Sequence, residues 1–253
     1  MIFENHNLLP FVMTFMPALV YALIIFVSFP RKTLSMKIAF LYFLMGSISV
    51  HAVSAVQWIF PGWSVRADSY GFLYDMALMA FVQVALLEEG AKQVFYRLSN
   101  IYRGKLSKPM SVMFYAMCVS AGFAVVENMM YAWRFGPEVL YIRAGTSMVL
   151  HMMTGLIMGY FFALGMHINK RRILYRILGL VSAVFIHGLY DFNLMIGYHT
   201  YQLLDGRVIG IPTGLGVNPW YVLGPGLAVV LVMYLHLRKL AKGKKRVSPP
   251  SEK

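Results

Sequence analysis

Residues 110–133 read MSVMFYAMCVSAGFAVVENMMYAW. This stretch has one charged side chain, Glu127, and as an α-helix it would be about 36 Å long, enough to cross the ~30 Å hydrocarbon core of a bilayer. The whole chain is similarly apolar: of its 253 residues 59 % are apolar and 13 % charged, and the mean hydropathy is +0.63. Soluble domains average about 45–50 % apolar and about 25 % charged residues. The composition therefore excludes an ordinary soluble enzyme, a disordered chain and a disulfide-rich secreted domain, and it indicates an integral membrane protein.

Further apolar runs on both sides of this stretch predict an all-α, multi-pass membrane helical bundle of about seven transmembrane helices. A β-barrel is disfavoured because the runs are continuous and do not alternate with polar residues. The predicted helices cover Leu8–Phe29, Ile38–Phe60, Tyr70–Tyr96, Met110–Trp133, Val139–His167, Ile173–Gly197 and Trp220–Leu237. We predict one transmembrane domain over residues 1–237 and a basic tail over 238–253. Cys118, the single cysteine, is interpreted as a core residue.

Lys and Arg are distributed unequally between alternate loops. Eighteen of them follow the first, third, fifth and seventh runs, whereas four (Arg66, Arg134, Arg143 and Arg207) lie in the intervening loops. Cytoplasmic loops of membrane proteins carry such an excess, so the N-terminus is predicted outside and the C-terminus in the cytoplasm. The formal charge of +13 is therefore assigned to cytoplasmic loops facing lipid headgroups, and no nucleic-acid partner is expected.

Several charged residues lie inside the apolar runs, where they are costly. The chain has only ten acidic residues, and four of them lie well inside these runs together with a lysine and two histidines. Asp75 lies near the outer end of its run and His51 is isolated, so both are left out of the site. A charge at the bilayer centre costs about 2.5–3.5 kcal/mol on insertion scales, so such side chains normally face the bundle interior and serve a function. We therefore predict one shared polar site made of Glu88, Glu89, Lys92, Glu127, His151, His187 and Asp191.

The spacing of these residues supports a shared site. Glu88 and Glu89 lie four and three residues before Lys92, so one carboxylate can be held charged while its neighbour stays protonated. His187 and Asp191 are four residues apart and share a helical face. An Asp that accepts from one ring nitrogen fixes the orientation of the other, which suits a hydrogen-bond donor or a metal ligand equally well.

Four short motifs contain these residues, on four successive helices. The zinc motif His-Glu-x-x-His and the Gly-x-Gly-Asp run of aspartyl proteases are both absent. The motifs that are present are Glu-Glu-x-x-Lys at Glu88–Lys92, Phe-x-x-x-Glu-Asn at Phe123–Asn128, His-x-x-x-Gly at His151–Gly155 and His-x-x-x-Asp at His187–Asp191. In this order the set, within about residues 70–197, resembles the PrsW family of bacterial intramembrane proteases, relatives of the CAAX-prenyl-protease and bacteriocin-processing enzymes.

The resemblance implies an endopeptidase of the bacterial cytoplasmic membrane that cuts a single-span protein, an anti-sigma factor in the best-known members, during a stress response. By position, Glu88 would be the base that activates water and Glu127 would help to hold that water. His187 with Asp191 would supply contacts to the oxyanion, and His151 would complete the site. Glu89 and Lys92 would tune its charge, with Asn128 in support.

The residues permit two mechanisms. Glu88, Glu127, His151 and His187 could bind zinc with an open position for water. A metal-free site would use a glutamate as base and His or Asn as oxyanion donors, and it is favoured because no histidine pair has the i, i+4 spacing of a preformed zinc site. An ion- or proton-coupled carrier, or a binding protein on the same scaffold, is the alternative function, since buried Glu, His and Asp are equally expected of proton relays. Cleavage near a lipidated terminus is a third interpretation.

The depth of the site residues sets a condition on the fold. If the third helix begins at Tyr70, Glu88 lies about 10 Å deeper in the bilayer than His187. We predict that this helix is shifted and continues to about Leu98, which closes most of that gap. A separation between Glu88 and His187 well beyond ~10 Å would contradict a shared site.

Overall fold

The structure is a computed structural model and describes residues 9–29, 34–60, 72–103, 108–168, 171–203 and 218–243. Its elements are α1 (Leu9–Ser28), α2 (Met36–Ile59), α3 (Phe72–Leu78), a π-helical segment (Met79–Leu86), α4 (Leu87–Arg103), α5 (Pro109–Phe135), α6 (Val139–Gly145), α7 (Ser147–Ile168), α8 (Arg172–Leu203) and α9 (Trp220–Gly243). Across the described residues the fold is all-α. The predicted division into residues 1–237 and 238–253 stays a prediction, because the tail beyond residue 243 lies outside the described residues.

Within the residues that the structure describes, five helical stretches are long and apolar enough to cross a membrane: Met36–Ile59, Pro109–Phe135, Val139–Met166, Arg172–Ile196 and Trp220–Lys242. A shorter apolar helix covers Thr14–Ser28, and the continuous run from Phe72 to Arg103 contains the Glu-Glu-x-x-Lys motif. The predicted multi-pass bundle of about seven helices is confirmed.

The helices α8 and α9 run six residues past their predicted ends at Gly197 and Leu237, and two further sequence-based boundaries are wrong. The third helix continues to Arg103 and does not end at Tyr96, because its last turns carry an amphipathic pattern that packs on α2. The predicted fifth helix, Val139–His167, is broken at Thr146, whose backbone (φ −124°, ψ −75°) leaves the helical region. The break divides the run into α6 and α7.

The helix α5 lies at the centre of the bundle and is buried along most of its length. It packs against α7, α2 and α1, and a helix that is apolar all round needs such surroundings. Pro109 begins it, and Gly136, with φ +93°, ends it. Its single cysteine, Cys118, is buried in the core as predicted.

Small residues let α2 and α7 approach α5 closely. A Cβ on Gly46 would overlap the carbonyl oxygen of Val119, and one on Gly122 would overlap the carbonyl oxygen of Phe43. On the other side of α5, a Cβ on Gly159 would come within 2.6 Å of the Met113 Cα atom. Backbone-to-backbone packing of this kind is typical of membrane helices, where van der Waals contact replaces the hydrophobic effect between helices.

The outer helices turn apolar side chains outward, as a lipid-facing surface requires. Exposed large residues include Leu23, Phe40, Ile173, Val181 and Val232. The bundle therefore has an apolar exterior, and its mainly apolar interior encloses the polar residues predicted from the sequence.

Candidate active site

Four helices bring the predicted site residues together. Glu88, Glu89 and Lys92 come from α4, Glu127 and Asn128 from α5, His151 from α7, and His187 and Asp191 from α8. The nearest atoms of Glu88 and His187, Oε2 and Nε2, are 3.8 Å apart. The condition on depth is therefore met, because the third helix runs on past Leu98 to Arg103.

A π-helical segment, Met79–Leu86, immediately precedes the first motif. Its wider turns change the direction in which the following residues project, and π-bulges occur often at functional sites. The segment packs along α8, where a Cβ on Gly188 would overlap the ring of Phe81. This close approach sets the third helix beside His187, the neighbour of Gly188.

Lys92 is the central cation of the site, and its side chain is 0 % exposed. Its ammonium group donates to Glu89 Oε1 and to His151 Nδ1, each at 2.8 Å, and lies 3.7 Å from Glu88 Oε2. It also sits 4.0 Å from the centroid of the Phe123 ring, the first residue of the second motif. An ammonium group has only donors, so Nδ1 of His151 must be the acceptor.

His151 is held from both sides of its ring. Because Nδ1 accepts from Lys92, the ring proton is on Nε2, which donates to Glu127 Oε2 at 2.7 Å. The same carboxylate oxygen is 2.8 Å from the Arg143 guanidinium. The hydrogen-bond network therefore assigns one orientation and one tautomer to His151.

The two ring nitrogens of His187 face different carboxylates, and Nε2 faces the ones with unbonded oxygens. Its Nδ1 donates to Glu89 Oε1 at 2.7 Å, and the same oxygen accepts from Thr154 Oγ1 at 3.2 Å. Its Nε2 is directed to the other side, 3.2 Å from Asp191 Oδ2 and 3.8 Å from Glu88 Oε2. The rings of His187 and His151 meet edge to face, with centroids 5.1 Å apart.

Two carboxylate oxygens around His187 Nε2 are buried and take no hydrogen bond from the described part of the chain. They are Glu88 Oε2 and Asp191 Oδ2. Buried polar atoms are normally hydrogen-bonded, so those that are not mark the place where a further polar group is expected to bind. Asp75 Oδ2 and Glu89 Oε2 are also buried and unbonded, but the oxygens of Glu88 and Asp191 lie within 3.8 Å of the same ring nitrogen. The space beside Glu88, His187 and Asp191 is therefore the candidate reactive part of the site.

Exposure divides the site into two halves. The side chains of Glu89 and Lys92 are 0 % exposed, whereas those of Glu88, Glu127, Arg143 and Asp191 are 9 %, 14 %, 14 % and 17 % exposed. The Glu89–Lys92 ion pair is therefore sealed, whereas the carboxylates of Glu88 and Asp191 are slightly exposed.

The residue types of the site match those that bind zinc, but hydrogen bonds and an ammonium group occupy the positions that the metal would need. Glu88, His151 and His187 each offer a ligand atom within 4.8 Å of the other two, and two His plus one Glu is a composition found at catalytic zinc. Both nitrogens of His151 are already engaged, however, and the Lys92 ammonium lies beside Glu88 and His151. Glu127, a predicted fourth ligand, is bound by Arg143 and His151.

Charge counting indicates what else the site needs. Four carboxylates (Glu88, Glu89, Glu127 and Asp191) surround two permanent cations, Lys92 and Arg143. Two positive charges are missing, and uncompensated buried charge is costly. A proton on His187 would supply one of them without any displacement of Lys92.

Sequence reasoning missed Arg143 and Thr154. Arg143 was counted with the outer loops because it lies eight residues before His151 in a segment near the end of an apolar run. Thr154 lies within the His-x-x-x-Gly motif, three residues after His151, and this helical spacing was the signal that could have revealed it. The motif's Gly155 has a packing role, since a Cβ there would come within 2.6 Å of Ser120 Oγ.

Comparison with known proteins identifies the family of the chain. The family model described as PrsW family intramembrane metalloprotease matches residues 34–217. Proteins named Protease PrsW from Shouchella clausii (strain KSM-K16), Geobacillus kaustophilus (strain HTA426) and Bacillus subtilis (strain 168) are 28 %, 28 % and 27 % identical to the chain. Each alignment covers 60 % of this chain and 67 %, 65 % and 67 % of the respective relative. No solved structure matches. With five helices able to cross a bilayer, the chain is a multi-pass bacterial membrane protein, and it belongs to the PrsW family of intramembrane proteases.

Proposed function

We propose that the chain is an intramembrane endopeptidase in which Glu88 activates water for attack on a peptide carbonyl of a membrane-anchored substrate. The observation that carries the proposal is the pair formed by Glu88 Oε2, buried and without a hydrogen bond, and His187 Nε2, 3.8 Å away. A carboxylate and an imidazole at this separation can hold one water molecule between them and act on its proton and on the carbonyl oxygen.

In the proposed reaction Glu88 takes a proton from water as the oxygen attacks the carbonyl carbon. The Nε2–H of protonated His187 donates to the oxyanion that forms, and Asp191 at 3.2 Å stabilises the imidazolium. Glu88 then returns the proton to the leaving nitrogen as the carbon–nitrogen bond breaks. The buried Glu89–Lys92 pair orients His187 through Nδ1.

We further propose that this chemistry proceeds without zinc. Support comes from the Lys92 ammonium, which already contacts two of the three candidate ligands, and from His151, whose two nitrogens are engaged. Zinc, if bound by Glu88, His151 and His187, would polarise the carbonyl as a Lewis acid. The chelator arm of the experiment below separates the two cases.

As substrate we propose a single-span anti-sigma factor, as the family resemblance implies. A site within the bundle, with Glu88, Glu127 and Asp191 partly exposed and Lys92 sealed, suits an extended peptide segment that enters from one side. The alternative function is ion- or proton-coupled transport, because a chain of buried Glu, His and Asp is also what a proton relay contains.

The test is cleavage of single-span anti-sigma factors from the same genome in reconstituted vesicles. Wild type is compared with Glu88→Gln and His187→Ala, each with and without chelator and with zinc restored. Asp75→Asn is the matched control, since Asp75 is a buried carboxylate in α3 that is not among the site residues. Loss of cleavage in both site variants, but not in the control or with chelator, is the expected result.

Other outcomes are equally decisive. Cleavage that chelator abolishes and zinc restores would overturn the metal-free mechanism. A folded wild type that cuts no substrate, but dissipates a proton gradient in a Glu88-dependent way, would overturn the protease proposal in favour of transport.

A further inference from the structure

Arg143 enters the site because of the break between α6 and α7. It is the third-last residue of α6, and the chain leaves helical geometry three residues later at Thr146. The guanidinium group therefore points inward. Its Nη2 lies 2.8 Å from Glu127 Oε2 and donates to Ser147 Oγ at 2.8 Å, and its Nε donates to Asn128 Oδ1 at 2.7 Å.

The guanidinium is also covered on one face. Its central carbon lies 3.6 Å from the centroid of the Tyr131 ring, one helical turn after Glu127 on α5. With Nε and Nη2 engaged and one face stacked, Arg143 is held as a clamp between α5 and the start of α7. A group so engaged is poorly placed to bind a substrate.

Arg143 acts on the reactive groups through a series of hydrogen bonds. A guanidinium is always charged and only donates, so it holds Glu127 as an acceptor for the Nε2–H of His151. His151 in turn accepts from Lys92, which also donates to Glu89, the acceptor for His187 Nδ1. In this series each hydrogen bond orients the group that makes the next one.

We propose that Arg143 is a positioning residue for peptide hydrolysis, which fixes Glu127 and His151 and through them the orientation of Lys92 and His187. The activity part of this inference rests on the proposed protease function. Its structural part, the control of the His151 ring proton by Arg143, does not.

The test compares Arg143→Gln, Arg143→Lys and the double variant Arg143→Gln/Glu127→Gln. Arg134→Gln is the matched control, because Arg134 is an exposed arginine at the end of the preceding helix α5 and lies over Phe135. Steady-state cleavage gives kcat and KM in vesicles. Spectra of protein labelled with ¹⁵N-histidine report which ring nitrogen of His151 carries the proton, with His151→Gln used for assignment.

We expect Arg143→Gln to lower kcat about 10²-fold at unchanged KM, the effect of a misplacement of about 1 Å in a catalytic group. Arg143→Lys should be intermediate, since a lysine keeps the charge but loses the planar fork. The double variant should recover part of the loss, because a neutral amide at position 127 still accepts from His151 without needing a cation. The control should equal wild type.

A raised KM at unchanged kcat would overturn the inference, since it would make Arg143 a substrate contact. Wild-type kcat and an unchanged His151 signal in a folded Arg143→Gln protein would overturn it as well. If wild type cuts nothing but Arg143→Gln shifts the His151 proton, the positioning role stands and the protease proposal fails. Should Arg143→Gln not fold, Arg143→Lys and the double variant give the same comparison.

Discussion

Replacing Lys92 with methionine tests how strongly the site depends on its central cation. The substitution preserves the length and apolar stem of the side chain but removes an ammonium group with two contacts at 2.8 Å, to Glu89 and His151, and one at 3.7 Å, to Glu88. The site would then hold four carboxylates against Arg143 alone. Removing one partner of a buried ion pair costs about 3–5 kcal/mol, because the other charge stays buried without compensation.

The double variant Lys92→Met/Glu89→Gln isolates the contribution of the Lys92–Glu89 ion pair to the free energy of unfolding. A glutamine at position 89 can still accept from His187 and Thr154 without carrying the charge, so we expect it to recover most of the 3–5 kcal/mol. The exposed Lys37 at the start of α2 supplies the control, and Lys37→Met should change stability by less than about 0.5 kcal/mol.

Equilibrium unfolding in mixed micelles measures these free energies. The reasoning is refuted if Lys92→Met is as stable as Lys37→Met, since Lys92 would then not compensate the carboxylates. It is also refuted if the double variant is no more stable than Lys92→Met alone. Either result would show that protons, and not the ammonium, neutralise Glu89.

Four further outcomes are expected from the packing and the charge distribution. Gly122→Ala should lower the free energy of unfolding in micelles by about 1–3 kcal/mol, because its Cβ overlaps the α2 backbone. Gly90→Ala has no atom within 4 Å of its Cβ and should be neutral or gain up to about 1 kcal/mol. Equal effects of the two substitutions would contradict the packing. Gly188→Ala should push Phe81 and the π-helical segment away and lower kcat in the cleavage assay, and an unchanged kcat would separate that segment from the site. Cys118 should react with maleimide only after unfolding, so rapid labelling of the native protein would place α5 at the surface. A C-terminal green fluorescent protein should fluoresce and a C-terminal alkaline phosphatase should be inactive, and the reverse would invert the orientation.

The shared site was predictable because buried charges require one another. Glu88, Glu127 and His187 are separated by many residues in the sequence, yet each lies in an apolar run where isolation would be costly. That argument brings the four helices together without any knowledge of their order in space. Hydropathy alone likewise predicted the helices, since lipid demands both apolar side chains and internally bonded backbone.

Local backbone geometry could not be predicted in the same way. The run Val139–His167 is apolar on both sides of Thr146, so its hydropathy does not mark the break. The π-helical segment has no proline, and its close contact to Gly188 of α8 is a long-range one. Arg143 lies in the first turns of the run Val139–His167, and the hydropathy gives no sign that its side chain turns into the bundle.

The two halves of the site explain why so many ionisable residues are needed for one reaction. The sealed half, Glu89 and Lys92, has no access to a substrate and can only orient His187 and His151. Both members are buried and paired with each other, whereas the proposed reaction moves its protons in the open half, where oxygens of Glu88 and Asp191 have no hydrogen bond. Hydrolysis needs a base and a donor whose protons move during the reaction, and these must be separated from groups whose protons stay. Burial separates these two kinds of group in the site. In the proposed arrangement Arg143 holds Glu127 in place for His151, as Lys92 holds Glu89 in place for His187.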